Sequence, residues 1–197
     1  FLGLQPLSDE SQVMAAAAYG TPKWSKYIRD NILHYDYEAN YTVLQNLERG
    51  AGYGALDWDI AASVQNVTQT IIANMADWLQ QETGMTKLAY AGGVALNCVA
   101  NTEILKWTKF TDVAIQPAAG DAGCALGAAA LLERPKYFTP YLGVNDSRGL
   151  HADDYASSIL KGKIVAVIEG QAEFGPRALG NRSLLCLPTD DNIKKLN

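Results

Sequence analysis

The segment EGQAEFGPRALGNRS, near the end of the chain, holds the densest set of side chains that could do chemistry. Its two arginines, Arg177 and Arg182, stand among glycines and beside the amide of Asn181 and the hydroxyl of Ser183. Because a guanidinium group can bind two phosphate oxygens at once, this composition predicts a phosphate or oxyanion site. The alternative is an internal salt-bridge network in which Glu173 pairs with one of the arginines.

A second motif, AGGVALN, lies between a predicted strand and a predicted helix. Gly92 and Gly93 would let the backbone approach a ligand closely and aim its amides at that ligand, and Asn97 adds a donor and an acceptor. The turn therefore suits a phosphate or a ribose. Tight packing alone would also explain two glycines at this point.

A third motif, QPAAGDAGCALGAA, places Asp121 between Gly120 and Gly123 after another predicted strand. A carboxylate in such an open turn could bind a metal ion or a sugar hydroxyl. Aspartate is also a favoured helix N-cap, which is the structural alternative.

Helices and strands alternate around these motifs, which predicts a layered α/β protein. The longest predicted helix has an apolar stripe at helical spacing, formed by Ile60, Val64, Val67, Ile71, Met75 and Trp78. Gly84 is predicted to end this helix. The other predicted elements are helices at Gln12–Gly20, Val94–Trp107, Cys124–Leu132 and His151–Leu160 and strands at Lys87–Ala91, Asp112–Gln116 and Lys163–Ile168. Thr21–Trp58 is an irregular aromatic segment, and prolines and a glycine predict a domain boundary over Glu133–Asp146.

The composition of the chain argues against several classes of function. The chain has 197 residues and a net charge of -5, which argues against a nucleic-acid or anionic-membrane surface. No apolar run reaches the ~18 residues of a membrane span, and the first residues lack the features of a signal peptide. The three cysteines form no CxxC pair, so we expect them to pack as small apolar side chains in a reducing, cytoplasmic compartment.

Taken in order, QVMAAAAYG, AGGVALNCVANTEIL, QPAAGDAGCALGAA and EFGPRALGNRS resemble the signatures of the nodulation and antibiotic-biosynthesis carbamoyltransferases, the NodU/CmcH family. The resemblance implies a two-domain enzyme. Residues 1–142 would be the C-terminal lobe of an actin/hexokinase/Hsp70-like ATPase domain, and residues 143–197 would begin a YrdC-like α/β domain. The implied reaction moves a carbamoyl group from carbamoyl phosphate, through a carbamoyl adenylate made with ATP, to a hydroxyl of a small-molecule acceptor.

The resemblance also implies roles for the site residues. The positions that match the nucleotide-binding turns are Gly92, Gly93, Asn97, Gly120 and Gly123. Those that match the carbamoyl-phosphate site are Glu173, Arg177, Asn181, Arg182 and Ser183. Asp121 matches a ligand of a catalytic metal, expected to be Fe²⁺, while Mg²⁺ would accompany ATP. Asp121, Arg177 and Arg182 are therefore the catalytic candidates.

One departure limits what the chain could do alone. The family's metal site also uses two histidines with helical spacing, and the only histidines here, His34 and His151, cannot form such a pair. We therefore expect the rest of a parent chain to complete the site and the isolated chain to be inactive. A tRNA threonylcarbamoyl-transfer protein or a sugar-kinase relative would share the first two turns but lack GPRALGNRS, and a catalytically inactive nucleotide-binding or assembly module is the other alternative.

Overall fold

The computed structural model describes residues 4–5, 9–32, 55–134, 138–146 and 151–196. Within these ranges the chain mixes helices and strands, as predicted. The helices are α1 Glu10–Ala16, α2 Ser25–Asn31, α3 Ala55–Thr83, α4 Cys98–Trp107, α5 Cys124–Leu132, α6 Ala152–Leu160 and α7 Asp190–Leu196. The strands are β1 Lys87–Tyr90, β2 Asp112–Ile115, β3 Tyr141–Asn145, β4 Val165–Ile168, β5 Gln171–Glu173 and β6 Arg182–Leu185.

The chain packs as two compact units. Unit 1 contains Phe1–Tyr90 and Asn97–Ala114, and unit 2 contains Ala91–Leu96 and Ile115–Asn197. The AGGVAL turn therefore belongs to unit 2, although the residues on either side of it belong to unit 1. The predicted domain division at residues 142 and 143 stays a prediction.

The long helix α3 organises unit 1 because it contributes to two separate apolar clusters. In its first half, Val67 is buried with Ile28 of α2. In its second half, Ala76 is buried with Ile104 of α4 and with Phe110, and this cluster also covers apolar residues of the paired strands β1 and β2. The helix ends at a glycine, as predicted: Gly84 has φ of +64° and donates its N–H to the carbonyl oxygen of Gln80.

The second half of α3 corrects the predicted apolar stripe. Met75 is 50% exposed and Trp78 is 63% exposed, whereas Ala73 and Ala76 are buried. At ~100° per residue these alanines lie on the side of the helix opposite Ile60 and Trp78. Large apolar side chains define the predicted stripe, whereas small alanines that allow close helix packing give little hydrophobic signal.

Unit 2 contains two antiparallel strand pairs. β4 pairs with β6 in regular register, which places Ile168 opposite Arg182. β3 pairs with β5 in an irregular register, with Tyr141 opposite Glu173. Glu173 and Arg182 therefore each belong to a strand, and the segment FGPRALGN connects them.

Two element predictions in unit 2 are wrong in detail. In Glu133–Asp146 prolines and a glycine were expected to break any regular element, but the segment contains strand β3, which forms because β5 supplies backbone partners. The domain boundary itself stays a prediction. The strand predicted at Lys163–Ile168 begins at Val165, and Val167 is its one buried hydrophobic residue. Both differences depend on pairing with distant strands, which local patterns do not reveal.

The cysteines also differ from expectation. Cys98 and Cys124 are exposed and Cys186 is partly exposed, so the prediction that they pack inside the protein is wrong for the first two. Most of the predicted aromatic segment Thr21–Trp58, including His34, lies outside the described residues. No helix in the described ranges is both long and apolar enough to cross a bilayer.

Candidate functional site

Three loops of unit 2 contact one another, and each contains part of one of the three sequence motifs. They are QPAAGDAG at residues 116–123, FGPRALGN at residues 174–181 and AGGVAL at residues 91–96, and together we call them the loop junction. Gly92 donates its N–H to the carbonyl oxygen of Ala119 at 2.9 Å. Arg177 donates from Nη2 and Nε to the carbonyl oxygen of Leu96, at 2.9 and 3.3 Å.

Close backbone contacts at Gly175 and Gly123 complete the loop junction. Gly175 has φ of +122°, and a Cβ atom there would lie 2.6 Å from the carbonyl oxygen of Pro117. A Cβ atom at Gly123 would likewise overlap the carbonyl oxygen of Ala118. Because only a residue without a side chain fits these contacts, the two glycines serve packing. Each of the three loops thus touches the other two.

The predicted nucleotide turn is open on one side. Gly92 has φ of +107°, and a Cβ atom at Gly92 or Gly93 would meet no other atom within 4 Å. Both glycines are exposed, whereas Ala95 in the same turn is buried. A Cβ atom at Gly120, by contrast, would lie 3.3 Å from the side chain of Leu96. A ligand could therefore approach the backbone at Gly92 and Gly93, while Gly120 faces protein.

Asp121 is exposed and begins a short 3-10 turn, Asp121–Gly123. Neither this turn nor α5 has a side-chain hydrogen bond at its N-cap, so the capping alternative is not observed. Among the described residues, no group of three or more His, Cys, Asp and Glu side chains could hold a metal ion. These residues alone therefore do not fit the implied metal, and we assign no reaction step to it.

Glu173 holds the FGPRALGN loop in shape. Its Oε1 atom accepts hydrogen bonds from the backbone N–H groups of Leu179 at 2.9 Å, Asn181 at 2.7 Å and Arg182 at 2.9 Å. Burial of this carboxylate raises its pKa, but the backbone N–H groups of Arg182, Leu179, Glu173 and Asn181 outweigh burial and lower the pKa to about 2. Glu173 is therefore ionised and bonded to the loop backbone.

The Arg182 guanidinium binds backbone carbonyl groups from three segments. Its Nη1 donates to Asn181 at 2.8 Å and to Glu169 at 3.2 Å, and its Nη2 donates to Val144 at 3.0 Å and to Gly170 at 3.2 Å. The structure thus differs from the salt-bridge alternative, because Glu173 bonds the backbone N–H of Arg182 and the guanidinium bonds carbonyl oxygens.

Asn181 and Ser183 also hold the same loop. The Asn181 side chain donates to the carbonyl oxygen of Gln171 at 2.8 Å, and the Ser183 hydroxyl oxygen accepts from the N–H of Gly180 at 3.1 Å. From β3, the Tyr141 hydroxyl donates to the carbonyl oxygen of Leu179 at 3.1 Å. The polar side chains of the motif therefore fix the shape of the loop that presents Arg177.

Asn97 belongs to unit 1, unlike the rest of the nucleotide-turn motif. Its side chain forms a reciprocal amide pair with Gln65, at 2.9 and 3.1 Å, and accepts the N–H of Ala100 at 3.0 Å. Asn97 is thus the N-cap of α4, which begins at Cys98 and not at Val94 as predicted. Gln65 was not singled out from the sequence, because 32 residues separate it from Asn97 and no local motif links them.

Comparison with known proteins agrees with these motifs. Residues 1–130 match the family described as Carbamoyltransferase N-terminus, and residues 156–197 match the family described as Carbamoyltransferase C-terminus. The chain is 34% identical to Nodulation protein NolO of Bradyrhizobium diazoefficiens, over 96% of this chain and 42% of that protein. It is 30% identical to the 3'-hydroxymethylcephem-O-carbamoyltransferase of Streptomyces clavuligerus, over 93% of this chain and 40% of that protein.

The chain thus spans about two fifths of the length of these relatives. The two family matches follow one another in the order expected for one protein with both parts. Because the first match alone covers more than half of the residues, this chain belongs to the carbamoyltransferase family.

Proposed function

We propose that this chain provides part of the catalytic apparatus of an O-carbamoyltransferase. The enzyme transfers a carbamoyl group from carbamoyl phosphate to a hydroxyl of a small-molecule acceptor, with ATP consumed to form a carbamoyl adenylate. The cephem relative, whose name specifies a hydroxymethyl acceptor, supports transfer to a hydroxyl. The acceptor of this chain would be a compound of the same broad class, and we place the enzyme in the cytoplasm.

The observation that carries this proposal is the loop junction, where three motifs from distant parts of the chain converge. Arg177 has five N–H donors and uses two of its nitrogens on Leu96 within the described residues. Its remaining donors can bind phosphate oxygens. The open backbone at Gly92 and Gly93 can approach the phosphates of ATP.

The roles of the other motif residues follow from their bonds. Glu173, Asn181, Arg182 and Ser183 hold the loop that presents Arg177, and this ordering reduces the entropy lost when the substrate binds. In the transfer step the acceptor oxygen bonds to the carbamoyl carbon, AMP leaves with the electron pair of the broken C–O bond, and the hydroxyl proton passes to solvent.

The proposal includes the fold that the family resemblance implies. Residues 1–142 would be a lobe of an actin/hexokinase/Hsp70-like domain and residues 143–197 the start of a YrdC-like domain. A threonylcarbamoyl-transfer protein or a sugar kinase is disfavoured because residues 156–197 match the carbamoyltransferase C-terminus. An inactive binding module would share the junction, and only assays of ligand binding and turnover separate that alternative.

Calorimetry with carbamoyl phosphate and with ATP tests the proposal on the wild-type chain and on Arg177→Ala and Asp121→Ala. We expect both ligands to bind wild type. Arg177→Ala should lose at least ~10-fold in affinity for carbamoyl phosphate, because a charge-assisted hydrogen bond contributes ~1.5–3 kcal/mol. Its ATP affinity, and both affinities of Asp121→Ala, should change much less.

Arg29→Ala is the matched control, because Arg29 lies on the exposed face of α2 in unit 1. Equal losses in Arg29→Ala and Arg177→Ala would contradict a specific site at the junction. Absence of binding to a wild-type chain that melts cooperatively would contradict the proposed function itself.

A further inference from the structure

Gln116 carries a buried carboxamide without a partner. Its Nε2 and Oε1 atoms are both shielded from solvent, and neither has a hydrogen-bond partner in the described part of the chain. Buried amides almost always form hydrogen bonds, and one that does not destabilises the fold. An apolar side chain of the same shape would avoid this loss, so the amide indicates a bond to a group that the described residues do not supply.

The position of Gln116 connects it to the loop junction. It begins the QPAAGDAG loop directly after β2, and its neighbour Pro117 presents the carbonyl oxygen against which Gly175 packs. In the FGPRALGN loop, two residues after Gly175, Arg177 donates to the carbonyl oxygen of Leu96. Gln116 is therefore the sequence neighbour of Pro117, whose contact with Gly175 joins the QPAAGDAG loop to the FGPRALGN loop.

We propose that the carboxamide of Gln116 binds the carbamoyl group of the substrate, an inference that rests on the proposed function. A carboxamide offers one N–H donor and one carbonyl acceptor side by side, and a carbamoyl group offers the same pair in the complementary order. Two reciprocal hydrogen bonds can therefore form. The same chain already contains such a pair between Gln65 and Asn97, at 2.9 and 3.1 Å.

In this proposal Arg177 and Gln116 bind different parts of the substrate. Arg177 binds the phosphate, which carbamoyl phosphate shares with other phosphates, and Gln116 distinguishes the carbamoyl end. A site with a buried amide discriminates against analogues that lack the matching donor, because binding them leaves the amide unpaired.

Three ligands test the assignment by calorimetry: carbamoyl phosphate, acetyl phosphate and inorganic phosphate. Acetyl phosphate keeps the carbonyl group but replaces the amino group with a methyl group. We expect wild type to prefer carbamoyl phosphate over acetyl phosphate by ~10-fold, and Gln116→Met to lose that preference while it still binds inorganic phosphate as wild type does. Gln12→Met, on the exposed surface of α1, should behave as wild type.

Thermal melting gives a second readout. Gln116→Met should melt at least ~2 °C above wild type, because it removes an unpaired buried amide and keeps the side-chain volume. A Gln116→Met chain that keeps the full preference for carbamoyl phosphate would overturn the assignment and indicate an amide that binds only water. If wild type binds none of the three ligands, the proposed function and this inference both fail.

Discussion

A single carboxylate oxygen organises the loop that presents Arg177. Oε1 of Glu173 accepts three backbone N–H groups, and its negative charge is what makes these bonds strong. A half-buried carboxylate would repel a phosphate ligand if it pointed at that ligand. Bonded to the loop amides, Glu173 instead contributes to the shape of the site.

Glu173→Gln tests this role through pH. The folded-state pKa of about 2 lies below the ordinary value of 4.5, so the ionised carboxylate stabilises the fold above about pH 4.5. This contribution is lost as pH falls from about 4.5 toward 2. We expect the melting temperature of wild type to fall more steeply over that window than that of Glu173→Gln. Parallel melting curves for the two chains would contradict the assignment.

Arg182→Lys tests whether the guanidinium is needed for its geometry or only for its charge. A lysine keeps the charge but cannot reach carbonyl groups on three segments at once. We expect the variant to lose ~2 kcal/mol of unfolding free energy in urea denaturation. Arg29→Lys, on the exposed face of α2, should change stability by less than ~0.5 kcal/mol. Equal effects of the two substitutions would show that charge alone suffices.

Residue types in the motifs predicted which side chains are polar and close together, but not what they bind. Composition favoured either a phosphate clamp or arginine–glutamate salt bridges. In the structure the guanidinium groups of Arg177 and Arg182 bond backbone carbonyl groups, and Glu173 bonds backbone amides. Backbone partners depend on the conformation of the loop, which the identity of the side chains does not specify.

Glycines determine how closely the elements of the junction approach. Gly123 precedes α5 and leaves no space for a Cβ atom next to the carbonyl oxygen of Ala118, whereas Gly127, within α5, faces open space. The two glycines lie four residues apart in the GDAGCALG segment. Because only their surroundings differ, alanine substitutions at these two positions can be compared directly.

Gly123→Ala should therefore destabilise the chain by ~2 kcal/mol, because the added methyl group forces the loop apart. Gly127→Ala should stabilise the chain by up to ~1 kcal/mol, because alanine has the higher helix propensity and meets no neighbour. Urea denaturation of both variants provides the comparison. A loss of stability in Gly127→Ala as large as that in Gly123→Ala would contradict the described packing of α5.

Most elements were predictable because the local spacing of apolar residues and the glycines that end helices are strong signals. Helix α5 has the predicted bounds, Cys124–Leu132, and Gly84 ends α3 as expected. The errors arose where distant partners decide the outcome, as in strand β3 and in the switch of α3 from one apolar cluster to another. The residues near one element do not indicate which distant elements it will contact.

At the scale of the whole molecule, the family was predictable because four short motifs occur in a fixed order. The matches over residues 1–130 and 156–197 confirm that reading. Asp121 is the one predicted metal ligand, and no group of three or more His, Cys, Asp and Glu side chains in the described residues could hold a metal ion. The chain covers about two fifths of the length of these relatives.

The most direct test of the central claim is a titration of the ¹⁵N-labelled chain with carbamoyl phosphate, followed by NMR of the backbone amides. The account predicts saturable shifts concentrated in the FGPRALGN loop around Arg177 and at Leu96, which Arg177 contacts, with little change along α3. Shifts confined to unit 1, or no shifts at millimolar carbamoyl phosphate in a folded chain, would contradict it.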